Sequence, residues 1–207
     1  MTDVFEFKTR VMPVVVLEDA ESAVPMAEAL LEGGIDAVEI TLRHRCALDA
    51  IARVSARVAG MCVGAGTVTR AEDFGRVAEA GARFALSPGL TPALAQAARA
   101  AAIPFIPGVM TPSEIAAARE HGYFLLKLFP AAQAGGVEML KALASPFADV
   151  RFCPTGGVSA KNLKDYLRQP NVALVGGSWL TPADALKSRD WSRIVTLARE
   201  ASAIAGG

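Results

Sequence analysis

The sequence predicts a single-domain α/β protein of the (β/α)8 TIM-barrel class. Short apolar strand candidates recur roughly every 20–27 residues, with Ala-rich helical patterns between them. Eight such units fit in 207 residues, which leaves no room for a second domain. An open doubly wound sheet is the runner-up, weakened by the even spacing and by the absence of a Gly-x-Gly-x-x-Gly turn. No tandem repeat, low-complexity tract or linker divides the chain, so residues 1–207 read as one barrel domain, with 1–10 as an N-terminal extension.

The first unit pairs a strand over Val11–Leu17 with a helix over Ala20–Glu32, halted by Gly33-Gly34. Asp36–Leu42 and Cys46–Val58 form the second, and Cys62–Val68 and Ala71–Ala80 the third, which stops at Gly81. In the fourth, Arg83–Ser87 precedes a helix over Pro92–Ala101, with Thr91 offering a capping hydroxyl directly before a proline at the first helical position. The fifth repeats that start: Ile103–Val109, then Thr111 before a helix over Pro112–His121, ended by Gly122. The sixth is Phe124–Phe129 with Val137–Ala144, the seventh Val150–Pro154 with Ala160–Leu167, and the eighth Val172–Gly176 with Trp191–Ala203.

A chain that is 52% hydrophobic with zero formal net charge has ample material for a core and no bulk attraction to nucleic acid or acidic membranes. No apolar run approaches the roughly 20 residues of a spanning helix, and the N-terminus lacks a signal-peptide core. Cys46, Cys62 and Cys153 are odd in number, widely spaced and without a Cys-x-x-Cys, which predicts reduced thiols, a cytoplasmic location and no zinc site. Cys153 has no base adjacent in sequence, and His44 and His121 read as surface histidines.

Two ionisable residues sit in otherwise apolar strands: Lys127 in Phe124–Phe129 and Glu39 in Asp36–Leu42. A buried ammonium is costly unless it is paired or loses its proton, and a neutral lysine amine is the nucleophile that covalent catalysis on a carbonyl requires. Barrel sites lie at the C-terminal ends of the strands. Period-two alternation puts Ala37, Glu39, Thr41 and Arg43 on one face, Val63, Ala65 and Thr67 on another, and Leu125, Lys127 and Phe129 on a third. If those faces point inward, Glu39, Thr67 and Lys127 converge in one mouth. Lys127 can then form an imine with a ketone while Glu39 moves protons. Arg43 offers a bidentate partner for a substrate carboxylate and Thr67 a hydroxyl for the same group. The glycine clusters Pro154-Thr-Gly-Gly-Val158 and Val175-Gly-Gly-Ser-Trp179 end the last two strands, where barrels frequently bind phosphate. Together these groups describe a phosphorylated 2-oxo acid as substrate.

Each residue also has a plainer reading. Lys127 can snorkel from a strand end, Glu39 can be its salt-bridge partner, Arg43 can be solvated beside Arg45, the glycines can be tight turns, and Phe129 and Trp179 can be core. An isomerase or a phosphate-binding biosynthetic enzyme on the same barrel, or a non-enzymatic sensor of a phosphorylated acid, are the rival functions. Neither needs a covalent adduct at Lys127.

Six strings, in order from about Val11 to Ala203, resemble a known family: Glu39-Ile-Thr-Leu-Arg43, Gly64-Ala-Gly-Thr-Val68, Ser87-Pro-Gly-Leu-Thr91, Lys127-Leu-Phe-Pro130, Phe152-Cys-Pro-Thr-Gly-Gly157 and Gly176-Gly-Ser-Trp-Leu180. They are similar to the class I 2-keto-3-deoxy-6-phosphogluconate (KDPG) and 4-hydroxy-2-oxoglutarate aldolases. The resemblance implies a homotrimeric, metal-independent, cofactor-free lyase that yields pyruvate and glyceraldehyde 3-phosphate in the Entner–Doudoroff pathway. By position, Lys127 matches the family's Schiff-base lysine and Glu39 its general acid/base. Arg43 and Thr67 match carboxylate contacts, and Phe129 a ring beside the imine. Pro88 and Pro154 match the pocket wall, with Thr155 among the substrate contacts. Gly156, Gly157, Gly176, Gly177 and Ser178 match the phosphate cradle. Relatives act on the galactonate-derived phosphate or on unphosphorylated 4-hydroxy-2-oxoglutarate. Arg43 and the Gly-Gly-Ser-Trp string, which the galactonate branch lacks, favour the gluconate-derived substrate. Arg10 is left as a candidate for an extra phosphate or carboxylate contact.

Overall fold

The computed structural model describes residues 8–206; most of the expected N-terminal extension therefore lies outside the described residues. Eight strand segments run in parallel: β1 (Val11–Val15), β2 (Ala37–Thr41), β3 (Cys62–Gly66), β4 (Ala85–Leu86), β5 in two pieces (Phe105–Ile106 and Gly108–Val109), β6 (Leu125–Leu128), β7 (Arg151–Phe152) and β8 (Val175–Gly177). Ladder pairing runs from the first piece of β5 through β4, β3, β2 and β1 to β8, and separately from the second piece of β5 through β6 to β7. Pro107 parts the two pieces of β5, because a residue without an N–H cannot continue a ladder. Its carbonyl still accepts from Lys127 N at 2.9 Å. Parallel bridges Phe152↔Val172 and Thr155↔Gly176 join the β7 and β8 segments and close the ring. The expected (β/α)8 barrel is therefore the fold.

The helices between the strands are α1 (Ala23–Glu32), α2 (Ala47–Arg57), α3 (Asp73–Glu79), α4 (Pro92–Ala100), α5 (Pro112–Glu120), α6 (Gly136–Ala144), α7 (Leu163–Leu167), α8 (Ala183–Ser188) and α9 (Trp191–Gly206). The two Thr-Pro starts behave as expected. Thr91 accepts from Leu94 N, and Thr111 forms a reciprocal capping box with Glu114. Helices α1 and α7 begin three residues later than the sequence suggests, because side chains tie up the preceding turn. Asp19 accepts from Ser22 N and Oγ before α1, and Asn162 accepts from Ser159 N while donating to Gly157 O before α7.

Helix α8 has no counterpart among the eight helices expected from the sequence. It begins after Pro182 and stops at Arg189, whose φ of 56° is left-handed. Thr181-Pro182 is a third Thr-Pro dipeptide and was the available signal. Here, however, Thr181 does not cap. Pro182 holds the N-cap position, and the buried Thr181 hydroxyl has no hydrogen-bond partner.

Two apolar layers hold the barrel. Met12, Ala37, Phe84, Leu86, Ile106, Cys153 and Leu174 form one buried cluster, with Cys62 and Leu125 packed on it. Their sequence neighbours Val11, Val38, Ala85, Phe105, Leu126, Phe152 and Val175 belong to the other, larger cluster. The alternation identifies the smaller cluster as the barrel interior and the larger as the strand–helix layer.

For β2 and β6 the expected faces hold. For β3 they are reversed: Val63 and Ala65 pack in the outer layer, while Cys62, Gly64 and Gly66 take the inner face. Side chains from neighbouring strands fill the space these glycines leave, Phe84 over Gly64 and Glu39 over Gly66. Thr67 lies past the end of β3 with φ 58°, which breaks the alternation, so its placement does not follow from the strand's period.

Candidate active site

Glu39 on β2 and Lys127 on β6 stand on opposite sides of an eight-membered ring, and both side chains turn inward. Lys127 Nζ donates to Glu39 Oε1 at 3.0 Å and Oε2 at 3.3 Å. The lysine side chain is 6% exposed and the glutamate 0%, so this is an ion pair within the barrel rather than a surface contact. A salt bridge and a catalytic role are both open to this pair, and the two residues do form the bridge. Lys127 Nζ also lies 5.4 Å from the centroid of the Phe129 ring, within cation–π range.

Cys153, inward on the strand that continues β7, is fully buried close to this pair. Burial pushes its thiol up to about 12, with opposing contributions from the Lys127 charge and the Thr155 hydroxyl and a further upward one from Glu39. The sequence showed no base beside Cys153. The fold brings Lys127 and Glu39 near enough to act on it, yet burial dominates and the thiol stays protonated. Thr41, on the same face of β2 as Glu39, spends its hydroxyl on Val15 O at 2.9 Å.

Arg43 lies in the turn after β2, exposed, and among the described residues its side chain makes no ion pair. Thr67 is half-buried at the end of β3, held in a left-handed conformation uncommon for a β-branched residue. Pro88 is exposed after β4, and its backbone packs where a Cβ on Gly108 would stand. Pro154 is buried, and its carbonyl accepts from Gly176 N at 3.0 Å. Thr155 is buried, with its hydroxyl donating to Cys153 O at 3.3 Å.

The two late glycine clusters meet at the Thr155↔Gly176 bridge. Gly156 and Gly157 have φ of 95° and 79°, a region closed to most side chains. A Cβ on Gly157 would also collide with Ala132. The loop after β6 is laced to this cluster by Ala131 N→Thr155 O at 2.8 Å and Ala132 N→Gly156 O at 3.0 Å. Gly176 and Gly177 are extended. A side chain there would meet the Thr155 hydroxyl or the Trp179 ring, so both glycines serve close packing. Ser178 follows them, exposed to solvent.

Arg10 is not part of the mouth. Its guanidinium donates to the carbonyls of Ala173 (3.0 Å), Leu167 (3.1 Å) and Val172 (2.7 Å), at the end of the barrel where β1 begins. That lock between the first and last strands replaces the anion contact considered from sequence. His44, read as a surface residue, is half-buried with Nδ1 3.1 Å from Cys46 Sγ. Among the described residues no three His, Cys, Asp or Glu side chains are grouped to hold a metal ion, and no helix is long and apolar enough to cross a membrane.

The chain that brings this buried lysine–carboxylate pair together is similar to known proteins. The family model described as "KDPG and KHG aldolase" matches residues 4–197. The chain belongs to that family. Among curated members, it is 52% identical to the 2-dehydro-3-deoxy-phosphogluconate aldolase of Dickeya dadantii, over 93% of this chain and 91% of that one. It is 51% identical to the KHG/KDPG aldolase of Escherichia coli K12, over 92% and 90%. In three dimensions it matches the KDPG aldolase of Legionella pneumophila, solved with pyruvate captured as a covalent carbinolamine intermediate. That match has a TM-score of 0.91, 46% identity and 94% coverage of each chain.

Proposed function

We propose that this protein is a class I aldolase that cleaves 2-dehydro-3-deoxy-6-phosphogluconate to pyruvate and glyceraldehyde 3-phosphate, with Lys127 as the imine-forming nucleophile. The observation that carries the reading is the buried contact between Lys127 Nζ and Glu39. A lysine that forms an imine needs a group beside it to move the protons of bond cleavage, and the Glu39 carboxylate lies 3.0 Å from Nζ.

The steps follow from that pair. The Lys127 amine adds to the C2 carbonyl, giving a carbinolamine that loses water to become an iminium. A base takes the proton of the C4 hydroxyl and the C3–C4 bond breaks. Its electron pair flows into the iminium, leaving an enamine and the aldehyde. The enamine is protonated at C3, and water releases pyruvate and the free lysine. Glu39 carries the protons of the steps that make and quench the enamine. Arg43 and Thr67 hold the carboxylate, and the Phe129 ring, Pro88, Pro154 and Thr155 wall the pocket. Gly156, Gly157, Gly176, Gly177 and Ser178 take the phosphate, whose charge suits backbone N–H groups. No metal or cofactor is needed for these steps, because the iminium itself is the electron sink.

The naming of the Escherichia coli relative favours a side activity on 4-hydroxy-2-oxoglutarate. A homotrimeric, cytoplasmic state belongs to the same proposal on family grounds, and sedimentation of the purified protein tests the trimer. The chemistry is tested by incubation with pyruvate and borohydride, followed by intact-mass measurement and peptide mapping. One reduced pyruvyl adduct on Lys127 is expected. Folded protein without an adduct would overturn the mechanism in favour of an isomerase or a sensor.

A further inference from the structure

Strand β3 turns glycines, not side chains, into the barrel at Gly64 and Gly66. Neither has a left-handed φ, so the backbone at these positions is open to any residue, and the reason for glycine must be space. A Cβ on Gly66 would stand 2.5 Å from Glu39 Cγ and 2.6 Å from Cδ, and closer still to Oε1. The volume a methyl group would take at residue 66 is the volume the Glu39 carboxylate occupies. Glu39 is 0% exposed, so its carboxylate is packed by protein atoms on every side. It comes from β2 and must lean across β3 to reach Lys127 on the far side of the ring. Gly66 is the gap it leans through.

We propose that Gly66 is a positioning residue, whose missing side chain sets the Glu39 carboxylate against the Lys127 amine. This deepens the aldolase reading above and rests on it. With alanine at residue 66 the carboxylate must rotate away from Nζ, since its flexible end yields before the strand backbone does. Lys127 keeps its own place on β6. Imine formation with pyruvate therefore survives, while the proton transfers that make and quench the enamine lose their carrier.

The test measures Gly66→Ala beside the parent protein in three ways: borohydride trapping of pyruvate, exchange of the pyruvate methyl protons with deuterated water, and thermal midpoint. Trapping should stay within about two-fold of the parent. Exchange and kcat should fall by about 100-fold at nearly unchanged KM, the scale expected of an ångström-level misplacement. A purely structural defect would lower the thermal midpoint without separating trapping from exchange. Gly64→Ala is the control for such a defect: its Cβ collides with the Phe84 ring rather than with Glu39, so it should lower the midpoint and leave the exchange-to-trapping ratio alone.

The decisive step repeats Gly66→Ala in a Glu39→Ala background, where the collision partner is gone. There the extra methyl should leave the midpoint unshifted and residual exchange within about two-fold. Parental exchange in Gly66→Ala, the same loss in the Glu39→Ala background, or a shifted ratio in Gly64→Ala would each overturn the proposal. If Gly66→Ala fails to fold, recovery of the fold in the double variant supports it and persistent failure overturns it. A parent that traps no pyruvate overturns the aldolase reading, whereas normal trapping with unaffected exchange in Gly66→Ala overturns this inference alone.

Discussion

Replacing Lys127 by methionine removes the cation from the buried pair and keeps the bulk of the chain. Glu39 is then a wholly buried carboxylate with no partner, a situation that typically costs about 3–5 kcal/mol. The cost has a ceiling, because the carboxyl can take up a proton instead. An unfolded glutamate titrates near ~4.3, and each pH unit above that makes protonation dearer by about 1.4 kcal/mol. The ceiling is thus about 5 kcal/mol at pH 8 and about 1 kcal/mol at pH 5. In this variant the folded state holds more protons than the unfolded one, so the deficit grows as pH rises from 5 to 8. For a domain of this length the thermal midpoint should drop by about 6–20 °C at pH 8 and about 2–4 °C at pH 5, each measured against the parent at the same pH. Circular-dichroism melts at the two pH values are the assay. The double change Lys127→Met/Glu39→Leu should recover most of the loss, since an apolar pair replaces the charges, while remaining inactive. A Lys127→Met midpoint within about 2 °C of the parent at both pH values would refute the picture of a desolvated charge pair.

Glu39→Gln should still be trapped on Lys127 by pyruvate and borohydride while turnover falls by about 10²–10⁴-fold; failure to trap would give Glu39 a part in imine formation itself. Ser178→Asp should raise KM for the phosphorylated substrate by charge repulsion, and unchanged kinetics would remove that loop from the phosphate site. Thr111→Ala breaks the capping box of α5 and should cost about 1 kcal/mol in a denaturant titration. The Glu114 carboxyl is held below the usual range, chiefly by the Met110 N–H, so its share of stability is present above the unfolded glutamate pKa and fades as pH falls through the folded one. Cys153, with its thiol pushed up to about 12 by burial, should resist iodoacetamide at pH 8 in the folded protein and react once the chain is denatured; labelling at native pH 8 would contradict its burial.

Local signals were legible where chemistry and period agree. Thr91-Pro92 and Thr111-Pro112 open helices because the hydroxyl and the proline ring act within one turn, whatever the rest of the chain does. Thr181-Pro182 carries the same letters, yet its hydroxyl is buried without a partner and proline takes the N-cap position. In that case the packing after β8, and not the dipeptide, set the local geometry. Arg10 was opaque for a related reason: its three acceptor carbonyls lie more than 150 residues away.

Sequence by itself determined the eightfold βα alternation, the sets of residues that share a face on β2 and on β6, and the odd presence of Lys127 and Glu39 in apolar strands. Hydrophobic period and desolvation cost act residue by residue, so one dimension is enough to read them. Only the tertiary structure decided which face of β3 lines the barrel. Alternation marks two faces but not which points inward, and here the answer turned on two glycines whose space is filled by Phe84 and Glu39 from neighbouring strands. The 3.0 Å meeting of residues 39 and 127 was likewise a matter of ring closure, because opposite strands become partners only once the sheet has curled through β8 back to β1.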